Sequence, residues 1–271
     1  MPWYIRTLIG LSLWVAAGIA AADLDPPDYE HLEALYLHLH RNPELSFKEH
    51  QTAARVADEL AASGFEVTRE FGGTGVVAIL RNGAGPTVLI RSDMDALPVR
   101  EQTGLAHAST AIGFSIDGLE KPVMHACGHD VHMTVLVGTA RQLSRARDQW
   151  RGTLILIGQP AEERGAGAKA MLDAGLFSKF PRPDYNLALH VHAGIPAGKV
   201  GYVAGPALAN VDSVDITVFG VGGHGAYPHW SKDPIVLSAQ IVGALQTIVS
   251  RELSPLEPAV LTVGSIHGGH K

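Results

Sequence analysis

The sequence predicts an α/β fold, in which helices cover a β-sheet. Short apolar segments typical of strands alternate with helical stretches along residues 29–189, which is the pattern of this fold class. Polar side chains suited to chemistry follow three of the apolar segments directly. Because open α/β sheets bind ligands at the carboxyl ends of their strands, we expect one site at a shared edge of the sheet.

Two helices are predicted before the first strand. Residues 29–41 have helical periodicity, and this helix stops before Pro43 because the residue preceding a proline is driven out of the helical region. The second helix is predicted to begin with a capping box, in which Ser46 is the N-cap and Glu49 is the third helical position. It is predicted to end at Gly64.

Four apolar segments are predicted to form strands. The first two flank Asn-Gly and Gly-Pro turn pairs, which indicates an antiparallel connection between them. The later two alternate with helical stretches. The strands are predicted at 75–80, 87–90, 154–157 and 187–189, and the helices at about 130–147 and 166–176.

The character of the sequence changes near Ala207, where a second domain is predicted to begin. This domain combines a half-polar strand at 213–219, a glycine-rich turn, a helix that Asp233 caps and Pro234 opens, and a strand at 259–263. The predicted segments are a leader at 1–22, a first domain at 23–206 and a second domain at 207–271.

The leader differs in composition from the rest of the chain. Arg6 precedes an uncharged apolar run from Thr7 to Ala22, which ends in three alanines before Asp23. This pattern is typical of a secretory signal peptide and predicts export to the periplasm or the extracellular space. The alternative is an uncleaved membrane anchor, for which the run is near the shorter end of spanning length.

Composition indicates a folded protein without a nucleic-acid partner. The 271 residues are 46% hydrophobic and 18% charged, which argues against disorder. The formal net charge is -6 and there is no run of lysines and arginines, so nothing suits a phosphate backbone. A single cysteine cannot form an internal disulfide, which leaves Cys127 free, in an intermolecular bond or bound to a metal.

The main candidate site combines Cys127 and His129 with the adjacent acids Glu162 and Glu163. Thiolate, imidazole and carboxylate ligands suit zinc or a similar divalent metal, and an unligated carboxylate can act as a base toward water. On their own, these residue types are also found as a buried structural cysteine or a solvated acid pair. Because the motifs occur together and the acids follow an apolar strand, we interpret them as the centre of a metal-dependent hydrolase.

Two further pairs have more than one interpretation. Asp93 and Asp95 follow a strand, where they could cap a turn or orient a ligand histidine. His190 and His192 also follow a strand, and spacing alone does not choose between them.

Three other histidines lie near predicted turns. His125 precedes the cysteine, and His132 is interpreted as packing in the first turns of a helix or supporting a ligand. His224 is flanked by glycines that allow close backbone approach, so a contact with substrate and an ordinary loop position are equally compatible with the sequence.

At these residues the chain resembles the amidohydrolase branch of the co-catalytic metallopeptidases, which includes hippurate hydrolase, indole-acetyl-amino-acid hydrolases and thermostable carboxypeptidases. The resemblance covers about residues 38–270 and keeps the family's order of motifs. These motifs are HRNPEL at 40–45, RSDMDALP at 91–98, HACGHD at 125–130, QPAEE at 159–163 and GGHGAYPH at 222–229. The family implies a mixed-sheet α/β catalytic domain with helices on both faces, plus an inserted α+β lid and dimerisation domain.

The resemblance implies a site for two divalent ions, which would be zinc, manganese, cobalt or nickel. Cys127 would bridge the ions, His129 and His190 would complete one site, and Glu163 would bind the other. His190 is favoured over His192 because it lies six residues before a proline, as in the family.

The resemblance also implies roles around the metals. Glu162 would deprotonate the attacking water and later protonate the leaving amine, and His224 would steady the substrate carboxylate or the oxyanion across a dimer interface. Apart from the resemblance, Asp93, Asp95 and Asp130 are predicted to support the metal ligands without binding the metal. The implied reaction is hydrolysis of the amide bond of an N-acyl or N-aroyl amino acid, a small-molecule substrate.

Members of this family continue beyond the position of Lys271 and supply a final histidine to the site shared with Glu163. His267 and His270 fall in the predicted lid strand and its turn, so neither is expected to replace it. The chain is therefore expected to be C-terminally truncated, with an incomplete lid. The alternatives to an amidohydrolase are a catalytically impaired remnant or binding protein, and a carboxypeptidase or dipeptidase acting on short peptides.

Overall fold

The computed structural model describes residues 26–116 and 118–269, which separate into two units at Lys199 and Val200. The predicted signal peptide at 1–22 lies outside the described residues. Across the described part of the chain, every helix is too short or too polar to cross a membrane.

A mixed sheet of five strands forms the centre of the first unit. The strands of the unit are β1 (Glu66–Thr68), β2 (Val76–Asn82), β3 (Thr87–Asp93), β4 (Ile112–Phe114), β5 (Glu120–Pro122), β6 (Gly152–Gln159) and β7 (Tyr185–Ala188). The order in the sheet is β1-β2-β6-β3-β7, while β4 and β5 pair as a separate hairpin. Strands β6, β3 and β7 are mutually parallel, so their carboxyl ends lie at one edge.

Helices cover both faces of this sheet, which confirms the predicted fold class. They are α1 (Tyr29–Arg41), α2 (His50–Ala62), α3 (His129–Arg145), α4 (Gly167–Asp173) and α5 (Leu176–Lys179). Alternate side chains of strand β2 pack on opposite faces of the sheet. Its Ala78 and Leu80 pack in a core with side chains of α1, α2 and α3, whereas Val77 and Ile79 pack with Met171 of α4 and Leu176 of α5.

The connection predicted between the first two strands is only partly correct. Strands β2 and β3 run in opposite directions, but they do not pair with each other, because β6 lies between them. The short loop between the two strands therefore crosses over β6. The local turn signal could not reveal that a strand some 60 residues later would take the central position.

The capping box predicted for α2 does not form. Its N-cap is Glu49, whose side chain makes no cap hydrogen bond, and Ser46 donates to Asp95 instead. The amides of Gln51 and Thr52 are capped by the Glu44 carboxylate at 3.2 and 2.8 Å. The side chains of Ser46 and Glu49 instead form hydrogen bonds with loops of the site described below.

The second unit contains one long helix, α6 (Pro234–Thr247), which continues as a π-helical turn at Ile248–Glu252. Asp233 accepts hydrogen bonds from the amides of residues 235 and 236 at 2.8 and 3.2 Å, which confirms the predicted cap. The strands predicted at 213–219 and 259–263 are absent, because no neighbouring strand pairs with either among the described residues.

Candidate metal centre

The carboxyl ends of the three parallel strands place the predicted ligands at one edge of the sheet. Asp93 ends β3, the Glu162-Glu163 pair follows β6, and His190 follows β7. Helix α3 starts at the same edge with His129, two residues after Cys127. Residues far apart along the chain therefore meet in one cluster.

His129 is fully buried, and its ring has one free nitrogen. Its Nδ1–H donates to the backbone carbonyl of Asp95 at 2.7 Å, which leaves the lone pair of Nε2 available. This Nε2 has no hydrogen-bond partner, and it lies 3.7 Å from Oε1 of Glu163 and 3.8 Å from Oε2 of Glu162. These distances are too long for hydrogen bonds and leave room for an ion between the groups.

Cys127 lies beside His190. The distance from Sγ to Nε2 of His190 is 3.4 Å, and Nδ1–H of the same ring donates to the carbonyl of Val191 at 2.7 Å. His190 therefore presents its lone pair toward the thiol. His192 uses its Nδ1 to accept the amide of Gly194 at 3.0 Å. Of the two histidines that spacing left open, the geometry places His190 next to the cysteine.

The donor atoms form overlapping groups of three within 4.8 Å of one another. One group is Cys127, His129 and His190, and another is His129, Glu162 and Glu163. In the second group, Oε1 of Glu163 is a buried atom without a hydrogen-bond partner, like Nε2 of His129. Buried polar atoms are rarely left unpaired in proteins, so two of them facing each other indicate a missing partner.

The charges around the cluster favour a cation as this partner. Burial and the neighbouring Glu163 and Glu162 carboxylates raise the pKa of Cys127 to about 12. Burial and the adjacent Glu162 also raise the pKa of Glu163, although the His129 ring opposes this shift. A divalent cation would reverse both effects. The sulfur, nitrogen and oxygen donors match the ligands that zinc and similar ions take in proteins.

The turn that carries the two glutamates is fixed by its backbone amides. The amides of Glu162 and Glu163 donate to the carboxylate of Asp95 at 2.9 and 3.1 Å. Burial alone would raise the pKa of Asp95, but the adjacent His129 ring and hydrogen bonds from Ser46 and these amides hold it below the usual value. The side chain of Glu162 is 38% exposed, whereas that of Glu163 is 19% exposed. The pair is therefore split, with one carboxylate facing inward and the other toward solvent.

A third group within 4.8 Å, formed by Asp93, His129 and His132, is a poorer metal site. Nδ1–H of His132 donates to Asp93 at 2.7 Å, and Nε2 of the same ring accepts the amide of Val191 at 2.9 Å. Both nitrogens are occupied, so His132 has no lone pair for an ion. Its contacts orient the loop that carries His190.

Asp93 in turn is held by Arg91, whose Nη1 lies 3.0 Å from the carboxylate. Burial alone would raise the pKa of Asp93, but the hydrogen bond from His132 and the nearby positive charge of Arg91 hold it below the usual value. Asp93 is therefore a charged anchor at the end of β3.

Asp130, predicted to support the ligands, has its side-chain partner on helix α1. Its carboxylate accepts Nδ1–H of His40 at 2.7 Å, which ties α1 to the first turn of α3. His125 is buried, and neither of its ring nitrogens has a hydrogen-bond partner in the described structure. Burial lowers the pKa of His125 to about 4, so its ring is neutral. It belongs to none of the groups of donor atoms described above.

His224 belongs to the second unit, where it lies in an exposed turn. Its Nδ1 accepts the amide of Ala226 at 3.0 Å, and its ring centre lies 5.2 Å from that of Tyr227. Nε2 is thus the nitrogen of His224 that is left for other contacts.

The site also contains side chains that the sequence analysis did not assign to it. The sequence predicts a helix cap for Ser46 and Glu49 and gives Arg91 no role of its own within its motif. The available signal is position in the sequence, because Ser46 and Glu49 closely follow the HRNPEL motif and Arg91 begins the RSDMDALP motif.

Known proteins are similar to this chain in sequence and in fold. Residues 89–271 match the profile of peptidase family M20/M25/M40. The N-acetyl-L-cysteine deacetylase of Bacillus subtilis is 42% identical over 233 residues, which cover 86% of this chain and 53% of the relative. The hippurate hydrolase of Campylobacter jejuni is 43% identical over 236 residues, which cover 86% of this chain and 58% of the relative.

A solved structure agrees with these sequence matches. The crystal structure of the Bacillus subtilis YXEP protein, described as a dinuclear metal binding peptidase from the M20 family, aligns with a TM-score of 0.60 at 31% identity. The alignment covers 81% of this chain and 56% of that chain. The chain spans about half the length of the curated relatives it matches.

Proposed function

Because the chain belongs to peptidase family M20/M25/M40, we propose that it is the metal-binding part of an amidohydrolase that cleaves N-acyl or N-aroyl amino acids. The observation that carries the proposal is the pair of buried, unpartnered atoms in the cluster, Nε2 of His129 and Oε1 of Glu163. The similarity to a deacetylase and to hippurate hydrolase supports the substrate class.

Two groups of donor residues in the chain would hold the metal. Cys127, His129 and His190 form one group of donors, and His129 with Glu162 and Glu163 forms the other. We propose that Cys127 bridges two ions, with His129 and His190 on one of them and Glu163 on the other. A divalent ion held there would polarise the substrate carbonyl and lower the pKa of a water molecule. We propose two ions, with zinc, manganese, cobalt and nickel as candidates.

Glu162 is proposed as the general base and acid. Its carboxylate is near the donors yet partly exposed, so it can reach both water and substrate. Its backbone is held by Asp95, which limits the motion of the side chain. Glu162 would accept a proton from the attacking water and deliver it to the nitrogen of the leaving amino acid.

We further propose that the second unit serves as a lid and contributes to a homodimer, with His224 steadying the substrate carboxylate or the oxyanion. The support for this is the GGHGAYPH motif, together with the free Nε2 of His224. Size-exclusion chromatography with light scattering tests the dimer, and a purely monomeric protein would contradict it. We also propose export through the leader at 1–22, and N-terminal sequencing of the mature protein tests its removal.

The test of the proposed function is a substrate comparison with the metal-loaded protein. Hippurate, an N-acetyl amino acid and a dipeptide are supplied at equal concentration after reconstitution with zinc, manganese or cobalt. Release of benzoate and acetate at higher kcat/KM than cleavage of the dipeptide would support the amidohydrolase. Faster cleavage of the dipeptide would instead identify a peptidase. Metal binding without cleavage of any of the three would identify a binding protein.

A further inference from the structure

Ser46 and Glu49 are drawn away from the helix end that their spacing predicts. Both contact the turn between β6 and α4, or the residue that holds it. Ser46 donates to the Asp95 carboxylate at 2.6 Å, and Asp95 accepts the amides of Glu162 and Glu163. Glu49 reaches the same turn one residue earlier, at Ala161.

Glu49 is fully buried, and its carboxylate has partners on both oxygens. Oε1 accepts the amide of Ala161 at 2.8 Å and the amide of Phe47 at 3.0 Å. Oε2 accepts the hydroxyl of Thr74 at 2.5 Å. Burying a charged carboxylate costs free energy unless hydrogen bonds compensate for the lost water. Among the partners of Glu49, Ala161 is the one that lies in the turn of the metal centre.

Ala161 has an unusual backbone conformation. Its φ is 45° and its ψ is 44°, in the left-handed region that residues with a Cβ rarely adopt. Such a conformation persists only where the surrounding structure fixes it, and it is frequent at functional sites. The residue that follows Ala161 is Glu162, so the direction of both glutamates depends on this turn.

Three consecutive amides of this turn donate to buried carboxylates from other segments. The amide of Ala161 donates to Glu49, and the next two amides donate to Asp95. Asp95 alone could hold the second and third amides, but it would not fix the left-handed residue that precedes them. The carbonyl of Ala161 accepts the amides of Ala166 and Gly167 at 3.2 Å, within the same turn. Its amide is held from another segment, by Glu49.

We propose that Glu49 is a positioning residue that holds Ala161 in its left-handed conformation and thereby directs Glu162 and Glu163 into the metal centre. The inference rests on the proposed function in so far as Glu163 binds a metal and Glu162 acts on substrate. The effect on the turn itself does not depend on catalysis.

The test compares three variants of the whole chain. Glu49→Ala removes the acceptor. Glu49→Gln keeps an amide oxygen for Ala161, while its NH2 group can donate to the Thr74 hydroxyl. Glu59→Ala is the matched control, because Glu59 is a buried carboxylate within the helix that Glu49 precedes. Its partners are His31, Arg55 and Arg141, away from the site.

Three measurements separate positioning from a general effect on stability. They are hydrogen exchange of the amides at 161–163 in metal-free protein, the visible absorption spectrum of the cobalt-loaded protein, and kcat and KM. In Glu49→Ala we expect faster exchange at these amides, an altered cobalt spectrum and a kcat lower by about 10–100-fold with little change in KM. In Glu49→Gln we expect values near those of the original chain.

The inference is overturned if Glu49→Ala and Glu59→Ala lower the melting temperature alike and leave exchange at 161–163 and the cobalt spectrum unchanged. It is also overturned if Glu49→Gln behaves like Glu49→Ala. Failure of the proposed function is a separate result: the original chain would bind cobalt without cleaving any substrate. The exchange and spectral comparison would still decide the role of Glu49.

Discussion

The amide of Val191 donates a 2.9 Å hydrogen bond to Nε2 of His132, and so anchors the loop after β7 to helix α3. His132 is itself fixed by its hydrogen bond to Asp93. The ring of His190 packs at 4.5 Å from that of His132. One histidine without a free lone pair thus sets the position of another that has one.

His132→Phe keeps a ring of similar size and removes both hydrogen bonds. We expect the affinity for zinc or cobalt to fall by about 10–100-fold, because the loop that carries His190 loses its anchor. Competition with a chromophoric chelator measures this affinity. His50→Phe is the control, since His50 is exposed at the start of α2. Equal affinities for the two variants would contradict the anchoring role.

Glu162→Gln tests the proposed base. We expect kcat to fall by about 10²–10⁴-fold with metal content unchanged, because the variant lacks a proton acceptor but keeps the ligands. Elemental analysis and steady-state kinetics measure the two quantities. Glu163→Gln is the comparison, and it should lose metal as well as activity. Turnover retained in Glu162→Gln would remove this residue from the mechanism.

Cys127 should make metal binding release a proton. Burial and the Glu163 carboxylate raise its pKa to about 12, so the thiol is protonated at pH 7 without an ion, and a thiolate is needed to bind one. The affinity should therefore increase with pH by up to about tenfold per unit from this group. Titration calorimetry in buffers of different ionisation enthalpy counts the protons.

Cys127→Ser should release about one proton fewer and have sharply lower metal occupancy. An unchanged proton count in this variant would show that the thiol is not a ligand.

His40 should make the stability of the metal-free protein depend on pH. Burial opposes protonation of its ring, but the hydrogen bonds to Asp130 and Glu101 outweigh burial and raise its pKa. A raised pKa gives stability that is complete below the ordinary histidine value and is lost as the pH rises through the folded value. The loss of melting temperature in His40→Gln should therefore be larger at pH 5.5 than at pH 8.5. A loss that is equal at both pH values, or larger at pH 8.5, would contradict this account.

Much of the fold could be predicted from the sequence, because the strands and helices of the first unit have strong local patterns. The periodicity of α1 and the Asp233 cap of α6 are local signals, and both helices are present. The central place of β6 could not be predicted, because strand order is set by packing of distant segments. The strands predicted at 213–219 and 259–263 had the right residues but no partner within the described chain.

The candidate site, like the fold, could be predicted from the sequence only in part. Cys127, His129 and the two glutamates can be proposed from the sequence because their residue types are unusual together, and the structure places them in two groups that share His129. Glu49 was misassigned because a Ser-x-x-Glu spacing has a local explanation, and sequence alone cannot show that Ala161 competes for the carboxylate. Asp130 was assigned to the ligands through its place in a motif, whereas its partner is His40 on another helix.

The surroundings of Cys127 disfavour its oxidation in the metal-free protein. Oxidants attack the thiolate form of cysteine, and burial together with the neighbouring carboxylates raises the pKa of Cys127 and keeps that form scarce. We therefore expect burial and the two glutamates to slow sulfenic acid formation and disulfide formation with other molecules in the metal-free chain. The same acids that would serve the loaded enzyme thus keep its sulfur ligand in the reduced state that loading requires.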